Sequence, residues 1–167
     1  MREQIIETFS TVLPPPLTTM VVAALPIVEL RGALPYALTL GKLPLAEAYI
    51  LAVVGNMIPI PFVLWFLDPA TDFLRRWERG DRFVEWLFAR TRRKGEKIER
   101  YETMGLIMFV AIPLPVTGAW TGSLAAHLFG LNRVKAFFAC LAGVCIAGVV
   151  VATLTMGAKG LWSTLFG

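Results

Sequence analysis

The chain has 167 residues, of which 56% are hydrophobic and 17% are charged, and its mean hydropathy is +0.65. In soluble domains about a quarter of the residues are charged, so this composition excludes an ordinary soluble domain and predicts an integral membrane protein. The net charge of +4 does not indicate binding to nucleic acid, because most basic residues fall in one central segment.

The N-terminal element, residues 1–16, is predicted to be a short helix at the membrane interface. Glu3, Glu7 and the prolines Pro14 to Pro16 occupy the stretch in which a signal peptide would need its apolar centre. We therefore expect an interfacial helix that ends at the prolines.

The next segment, Leu17 to Leu40, is apolar but carries two charges, Glu29 and Arg31, between Pro26 and Pro35. A charged group at bilayer depth costs about 2.5 to 3.5 kcal/mol on insertion scales and usually marks a pathway or a site buried in protein. The apolar stretch before Glu29 would be about 18 Å long as a helix, which is roughly half of the hydrocarbon core. The segment therefore predicts a re-entrant hairpin that turns at mid-bilayer, with a kinked full span as the alternative.

The spacing of Glu29 and Arg31 bears on the backbone between them. On a helix the two residues point about 200° apart, whereas on an extended chain they lie on one side. Gly32 and Pro35 favour an unwound backbone, because glycine permits a turn and proline disfavours helical geometry at the preceding residue. We interpret Glu29 as a proton-coupling or ligand-pairing acid and Arg31 as a ligand for an anion. A structural ion pair that braces the hairpin is the alternative.

A spanning helix is predicted from Pro44 to Leu67, after a turn at Gly41 and Lys42. Asn56 is a polar residue inside this span. It either lines a solute path or forms a hydrogen bond to a neighbouring helix.

The central segment, residues 68–103, holds ten of the sixteen Lys and Arg residues and eight of the twelve acids. Since the Lys/Arg bias of short loops sets membrane orientation, this loop is predicted to be cytoplasmic. Its apolar residues recur at helical spacing with interruptions at Gly80 and Gly95, which predicts an amphipathic helical hairpin on the inner leaflet. The apolar residues are Phe73, Trp77, Val84, Leu87 and Phe88.

The second broken segment, Gly105 to Phe129, contains IPLPVTGAWTGS and no charge. It offers hydroxyl and indole donors, and we expect its glycines to expose backbone N–H groups at the start of a helix, where the dipole suits phosphate or carboxylate. Close helix packing through Gly118 and Gly122 is the alternative. The candidate solute-binding residues of this segment are Thr117, Gly118, Trp120 and Thr121.

The sequence predicts no catalytic residues, no metal ligands and no cofactor. The chain has a single histidine, His127, and no cluster of cysteines or carboxylates at metal-site spacing. Ser123 lies one helical turn from His127, but no acid nearby would orient the ring for nucleophilic catalysis. We therefore expect a protein that is not an enzyme.

The two halves of the chain resemble each other in organisation. Residues 17–67 and residues 104–158 each contain a broken segment, a turn and a spanning helix, and residues 159–167 form a tail. Paired broken segments point to a transporter site at the interface of two repeats. We predict one all-α membrane domain, residues 1–167, with two opposed re-entrant hairpins, spanning helices and inverted-repeat halves. Because so few spanning helices shield two hairpins poorly from lipid, we also expect a homodimer.

Three stretches of the chain resemble the family named small multidrug export proteins. They are PIVELRGALPYAL at residues 26–38, GNMIPIP at residues 55–61 and IPLPVTGAWTGSLAA at residues 112–126. In layout the chain is more distantly similar to the DedA superfamily, whose members carry two membrane-dipping hairpins with essential acidic and Arg residues and are implicated in lipid-carrier transport. DedA proteins place their Arg in a second-half motif, which reads VTGAWTGS here.

These observations together predict an inner-membrane exporter of a small or amphipathic solute, including an anionic one, that works by ion-coupled alternating access. A flippase for polyprenyl phosphate or another lipid phosphate is one alternative, and a non-transporting membrane scaffold is another. The expected partners are a small or lipid-like substrate, membrane lipids and a second copy of the chain. Nucleic acid is not an expected partner.

Overall fold

The structure, a computed structural model, describes residues 2–77, 81–82, 99–113 and 117–166, and within these ranges it is all-helical without a strand. Two stretches are long and apolar enough to cross a membrane, Leu45–Phe73 and Arg133–Ala158. This confirms the predicted all-α class. The helices are α1 (Arg2–Val12), α2 (Pro15–Ala24), α3 (Glu29–Thr39), α4 (Leu45–Met57), α5 (Ile60–Arg75), α6 (Glu99–Ala111), α7 (Ala119–Leu128) and α8 (Arg133–Phe166).

The chain divides into two compact units. Unit 1 comprises Met1–Pro59 and Val144–Gly167, and unit 2 comprises Ile60–Gly143. Helices α1 to α4 therefore belong to unit 1, helices α5 to α7 belong to unit 2, and α8 contributes residues to both. The organisation as one membrane domain of two repeats stays a prediction.

Helix α1 packs its apolar residues against α2 and α3. These residues contact a buried cluster in which α2, α3 and the turn between them meet. Thr18, which is fully buried on α2, donates its hydroxyl to the carbonyl of Leu13 at 3.1 Å, just past the end of α1. The residues of α1 that contact the cluster are Ile5, Ile6 and Phe9, and the cluster consists of Val22, Ala23, Val28 and Ala33. A membrane-interface position for α1 stays a prediction.

The first broken segment forms two helices, α2 and α3, that pack against each other across the turn Leu25–Val28. Proline explains the position of the break: Pro26 lacks an N–H, and Leu25 before it takes the extended backbone that a following proline favours, with φ −78° and ψ 133°. The extended backbone considered for Glu29 to Arg31 is wrong, because α3 begins at Glu29 and continues through Pro35.

Gly32 serves packing rather than a turn, because a Cβ there would lie 2.3 Å from Cγ1 of Val28. The turn predicted at Gly41 and Lys42 lies between α3 and α4. Helix α5 continues to Arg75, so the central segment begins inside a helix instead of at a loop. Most of the predicted amphipathic hairpin, residues 78–80 and 83–98, lies outside the described residues.

Each unit contains a glycine where two helices approach closely. In unit 1, a Cβ on Gly55 of α4 would lie 2.5 Å from the carbonyl oxygen of Met20 on α2. In unit 2, a Cβ on Gly143 of α8 would lie 2.6 Å from Cβ of Val110 on α6. Gly122 of α7 contacts the same valine, because its added Cβ would lie 2.5 Å from Cγ2. The packing role considered for Gly122 is therefore present.

Candidate functional site

Glu29 combines burial with a strained backbone. It is the first residue of α3, its φ is +53°, and it is 7% exposed. Left-handed backbone costs a residue other than glycine about 1–2 kcal/mol. The N-terminal position in α3 offsets part of the cost, because the helix dipole favours negative charge there. Strain stored at a buried acid is typical of a functional site.

Arg31 lies in the same first turn of α3 and is half-buried. The N–H of Glu29 donates to the carbonyl oxygen of Leu25 at 2.9 Å, which holds the acid at the end of the turn between α2 and α3. Both predicted charges are therefore placed at the chain break of unit 1.

Asn56 is a second buried polar residue of unit 1. It lies on α4, which packs against both α2 and α3, and it is 3% exposed. Among the buried side chains that the structure describes, its Oδ1 is the one oxygen or nitrogen without a hydrogen-bond partner. A buried polar atom without a hydrogen-bond partner costs about 1–3 kcal/mol of stability. A ligand that donates a hydrogen bond to Oδ1 would be a physical reason for the protein to retain Asn56.

An open, mostly apolar cavity of about 550 Å³ also lies in unit 1. Tyr49 of α4 borders it and donates its hydroxyl to the carbonyl of Cys145 on α8 at 2.8 Å. The cavity offers apolar surface on the same helix that carries Asn56. Its lining residues are Leu45, Ala46, Tyr49, Ile50, Val149, Ala152, Thr153 and Met156.

The residues predicted in the second broken segment lie in unit 2, at the start of α7. The Gly118 N–H donates to Oγ1 of Thr121 at 2.9 Å, and the Gly122 N–H donates to the Gly118 carbonyl at 2.7 Å. Thr117 donates its hydroxyl to the Ile112 carbonyl at 2.9 Å. The expectation that these glycines expose free N–H groups is therefore wrong, because the Gly118 N–H takes part in the cap of α7 and the Gly122 N–H makes a backbone hydrogen bond in its first turn. Trp120 is half-buried in the first turn.

The structure therefore divides the predicted site residues between the two units. Glu29, Arg31 and Asn56 belong to unit 1. Thr117, Gly118, Trp120 and Thr121 belong to unit 2.

Unit 2 contains a polar cluster that the sequence did not predict. His127 of α7 places Nδ1 3.1 Å from Oδ1 of Asp68 and Nε2 2.8 Å from Oγ1 of Thr71, both on α5. The other oxygen of Asp68 accepts a hydrogen bond from Nη2 of Arg133, the first residue of α8. We call Asp68, Thr71, His127 and Arg133 the histidine cluster. Ser123, considered as a partner of His127, donates its hydroxyl to the Ala119 carbonyl at 2.7 Å.

The histidine cluster borders an open cavity of about 550 Å³ in unit 2. The side chains of Arg133 and Asp68 are 51% and 40% exposed, whereas that of His127 is 15% exposed. Asp68 and Thr71 are three residues apart and so share one face of α5, which is the part of this arrangement that the sequence could have indicated. The cavity is lined by Leu64, Asp68, His127, Gly130, Leu131, Asn132, Arg133 and Val134.

Metal ligation finds no support in the described part of the chain, where no three His, Cys, Asp or Glu residues come together. The polar groups of the histidine cluster are suited to hydrogen bonding and proton exchange.

The chain matches a known protein family. The model of the family described as "Putative small multi-drug export protein" matches residues 29–150, a range that contains Glu29, Asn56 and the histidine cluster. Curated proteins and solved structures give no match. The family match and the two apolar spans together indicate a membrane protein.

Proposed function

The chain belongs to the small multi-drug export protein family, and from this premise we propose that it exports a small amphipathic solute across the cell membrane by ion-coupled alternating access. The observation that carries the proposal is the buried, strained Glu29 at the break between α2 and α3. An acid in that position costs energy in the folded state, and binding a solute is a reason to retain it.

The lengths of α2 and α3 support a re-entrant hairpin. They have 10 and 11 residues, so each is about 15 Å long and reaches about halfway through a hydrocarbon core of roughly 30 Å. The turn Leu25–Val28 would then lie at mid-depth, where irregular backbone is tolerated only inside protein or beside a water-filled cavity. In unit 2, helices α6 and α7 are similarly short, which supports a second hairpin and inverted-repeat halves.

The chemistry of unit 1 suits a solute that donates hydrogen bonds and has an apolar body. Glu29 and the unpaired Oδ1 of Asn56 are both acceptors, and the apolar cavity beside Tyr49 lies in the same unit. Arg31 would bind the acidic group of an anionic solute. Within unit 2, we propose that Trp120 offers aromatic surface along the path of the solute and that Thr117, Gly118 and Thr121 belong to the same stretch of that path.

We further propose that the protein lies in the inner membrane as a homodimer, with residues 68–103 in the cytoplasm. The excess of Lys and Arg in that segment supports the orientation. A second copy would shield the short helices α2 and α3 from lipid, which supports the dimer.

Flux through proteoliposomes tests the proposal. The probes are ethidium, an amphipathic cation, and fluorescein, an amphipathic anion, each compared with protein-free vesicles. We expect Glu29→Gln to abolish flux, because it removes the charge and keeps the shape. The matched control is Glu47→Gln, since Glu47 is an exposed acid at the start of α4. Thermal unfolding of each purified variant checks that the fold is retained.

Three other outcomes would contradict the proposal. Unchanged flux in Glu29→Gln would exclude the assigned role of the acid. If neither dye moves but a fluorescent short-chain polyprenyl phosphate does, the lipid-phosphate flippase is the better account. If none of the three probes moves, a non-transporting membrane scaffold is the better account of the function.

A further inference from the structure

The hydrogen bonds of Thr71 determine which protonation state of His127 is compatible with the geometry of the histidine cluster. Oγ1 of Thr71 lies 2.7 Å from the carbonyl oxygen of Leu67 and 2.8 Å from Nε2 of His127. A hydroxyl has one proton to donate, and a carbonyl can only accept. While Thr71 donates to Leu67, it can receive a hydrogen bond from His127 but cannot give one.

Both ring nitrogens of His127 therefore act as donors in this arrangement. Nδ1–H donates to the carboxylate of Asp68, and Nε2–H donates to the hydroxyl of Thr71. A histidine with two N–H donors is the imidazolium cation. While Asp68 is a carboxylate, the neutral ring fits the same partners only if the Thr71 hydroxyl turns from the Leu67 carbonyl to Nε2.

The charges around His127 also suit a bound proton. On α5 the carboxylate of Asp68 faces Nδ1 and stabilises the cation, while on α8 Arg133 opposes it and is itself paired with Asp68. His127 lies in the last turn of α7, where the helix dipole favours a cation. Helix α6 also packs against α7 and has no ionisable side chain between Thr103 and Ala111.

We propose that His127 is the proton-binding site of this exporter and that the coupling ion is H⁺. The inference rests on the proposed function and adds the identity of the ion and the residue that carries it. Histidine is the side chain whose charge ordinarily changes between about pH 5 and pH 8. The open cavity at Asp68 and Arg133 gives water a route to the cluster.

The proposed step is a reversible proton transfer between His127 and water in the cavity. On binding, the Thr71 hydroxyl first rotates to the Leu67 carbonyl without breaking its O–H bond, which frees the Nε2 lone pair. The lone pair then forms an N–H bond with a proton from hydronium, which leaves as water. Release reverses both movements, so the protonation state is converted into a rearrangement of hydrogen bonds between α5 and α7.

Nuclear magnetic resonance of the ring nitrogens tests the proton site directly. His127 is the sole histidine of the chain, so ¹⁵N-histidine labelling of the full-length protein in lipid nanodiscs yields one ring to follow. We expect the ring to change from neutral to doubly protonated between pH 8.5 and pH 5. Asp68→Asn should lower the imidazolium fraction at pH 7. Asp72→Asn, which removes an exposed acid on the same helix, should leave it unchanged.

A ring that keeps one protonation state over this range would overturn the proposal. An imidazolium fraction that does not respond to Asp68→Asn would overturn it as well. These readings do not depend on transport.

Coupling is tested with ethidium in proteoliposomes. We expect His127→Gln to lose ethidium accumulation driven by a pH gradient, and this loss to exceed any change in ethidium exchange down its own gradient. Accumulation in His127→Gln equal to that of the wild type would exclude the coupling role while leaving export intact. If the wild type moves no ethidium in either assay, the proposed export of this dye and the coupling role both fail, and the nitrogen titration still decides whether His127 binds a proton.

Discussion

The two units place their charges in different settings. In unit 1 the charges lie at a chain break, where Glu29 is buried on left-handed backbone. In unit 2 the residues described at the break between α6 and α7 are uncharged, and Asp68, His127 and Arg133 meet beside an open cavity. A buried strained acid suits recognition of a solute, whereas a cluster beside an open cavity has access to water and can exchange a proton with it. The difference leads us to infer that unit 1 recognises the solute and unit 2 exchanges the proton, and mutation can test this inference.

The largest expected effect concerns the packing that holds unit 1 together. Gly55→Ala should lower the free energy of unfolding by about 1–3 kcal/mol, because the new methyl group would meet the backbone of α2 at Met20. The control is Gly157→Ala on α8, where the space around the added Cβ is empty and alanine favours the helix. Unfolding in mixed micelles measures both variants. Equal effects would contradict a close approach of α4 to α2.

Asn56→Leu should separate stability from function in unit 1. The substitution removes the unpaired Oδ1 at similar volume, so we expect a gain of about 1–2 kcal/mol in the free energy of unfolding. Dye flux should fall at the same time, because a binding group is lost. A variant that is less stable and equally active would show that Asn56 is a structural residue.

A pair of substitutions at Glu29 isolates the cost of its backbone. Glu29→Ala and Glu29→Gly both lose the carboxylate and should both lose flux. The glycine variant should be more stable by about 1 kcal/mol, since glycine adopts positive φ without strain. The same pair at Lys42, an exposed residue with φ +51°, calibrates this difference and should retain flux. Equal stability of the two Glu29 variants would mean that no strain is stored there.

The smallest effect is expected at the rim of the histidine cluster. Arg133→Gln should cost less than about 1 kcal/mol, because an ion pair with a half-exposed partner is screened by water and salt. Unfolding at low and high salt concentration measures this contribution. A loss well above that value at both salt concentrations would show that the cluster stabilises unit 2, which would weaken the contrast between the units.

Hydropathy and proline placement predicted much of the fold. Apolar runs identified the all-helical class and the membrane spans, because a spanning helix needs about 20 apolar residues. The position of the first break was missed by several residues. Pro26 and Pro35 carry the same local signal, and the structure breaks the helix at Pro26 while α3 continues through Pro35.

Part of the candidate site was also predictable. Glu29, Arg31 and Asn56 stood out because polar residues are rare inside apolar segments. The histidine cluster was not predictable, since the charge pattern placed Asp68 in a loop and its partners lie 59 and 65 positions further along the chain.

The sequence by itself determined that this chain is helical, apolar and broken at prolines, because these properties follow from local composition and backbone chemistry. Only the tertiary structure decided that Glu29 is buried on strained backbone, that Asn56 lacks a donor, and that His127 meets Asp68 and Thr71. Such facts depend on which helices pack together, and packing joins residues that are far apart in the chain. A local sequence pattern cannot indicate which distant residues come into contact.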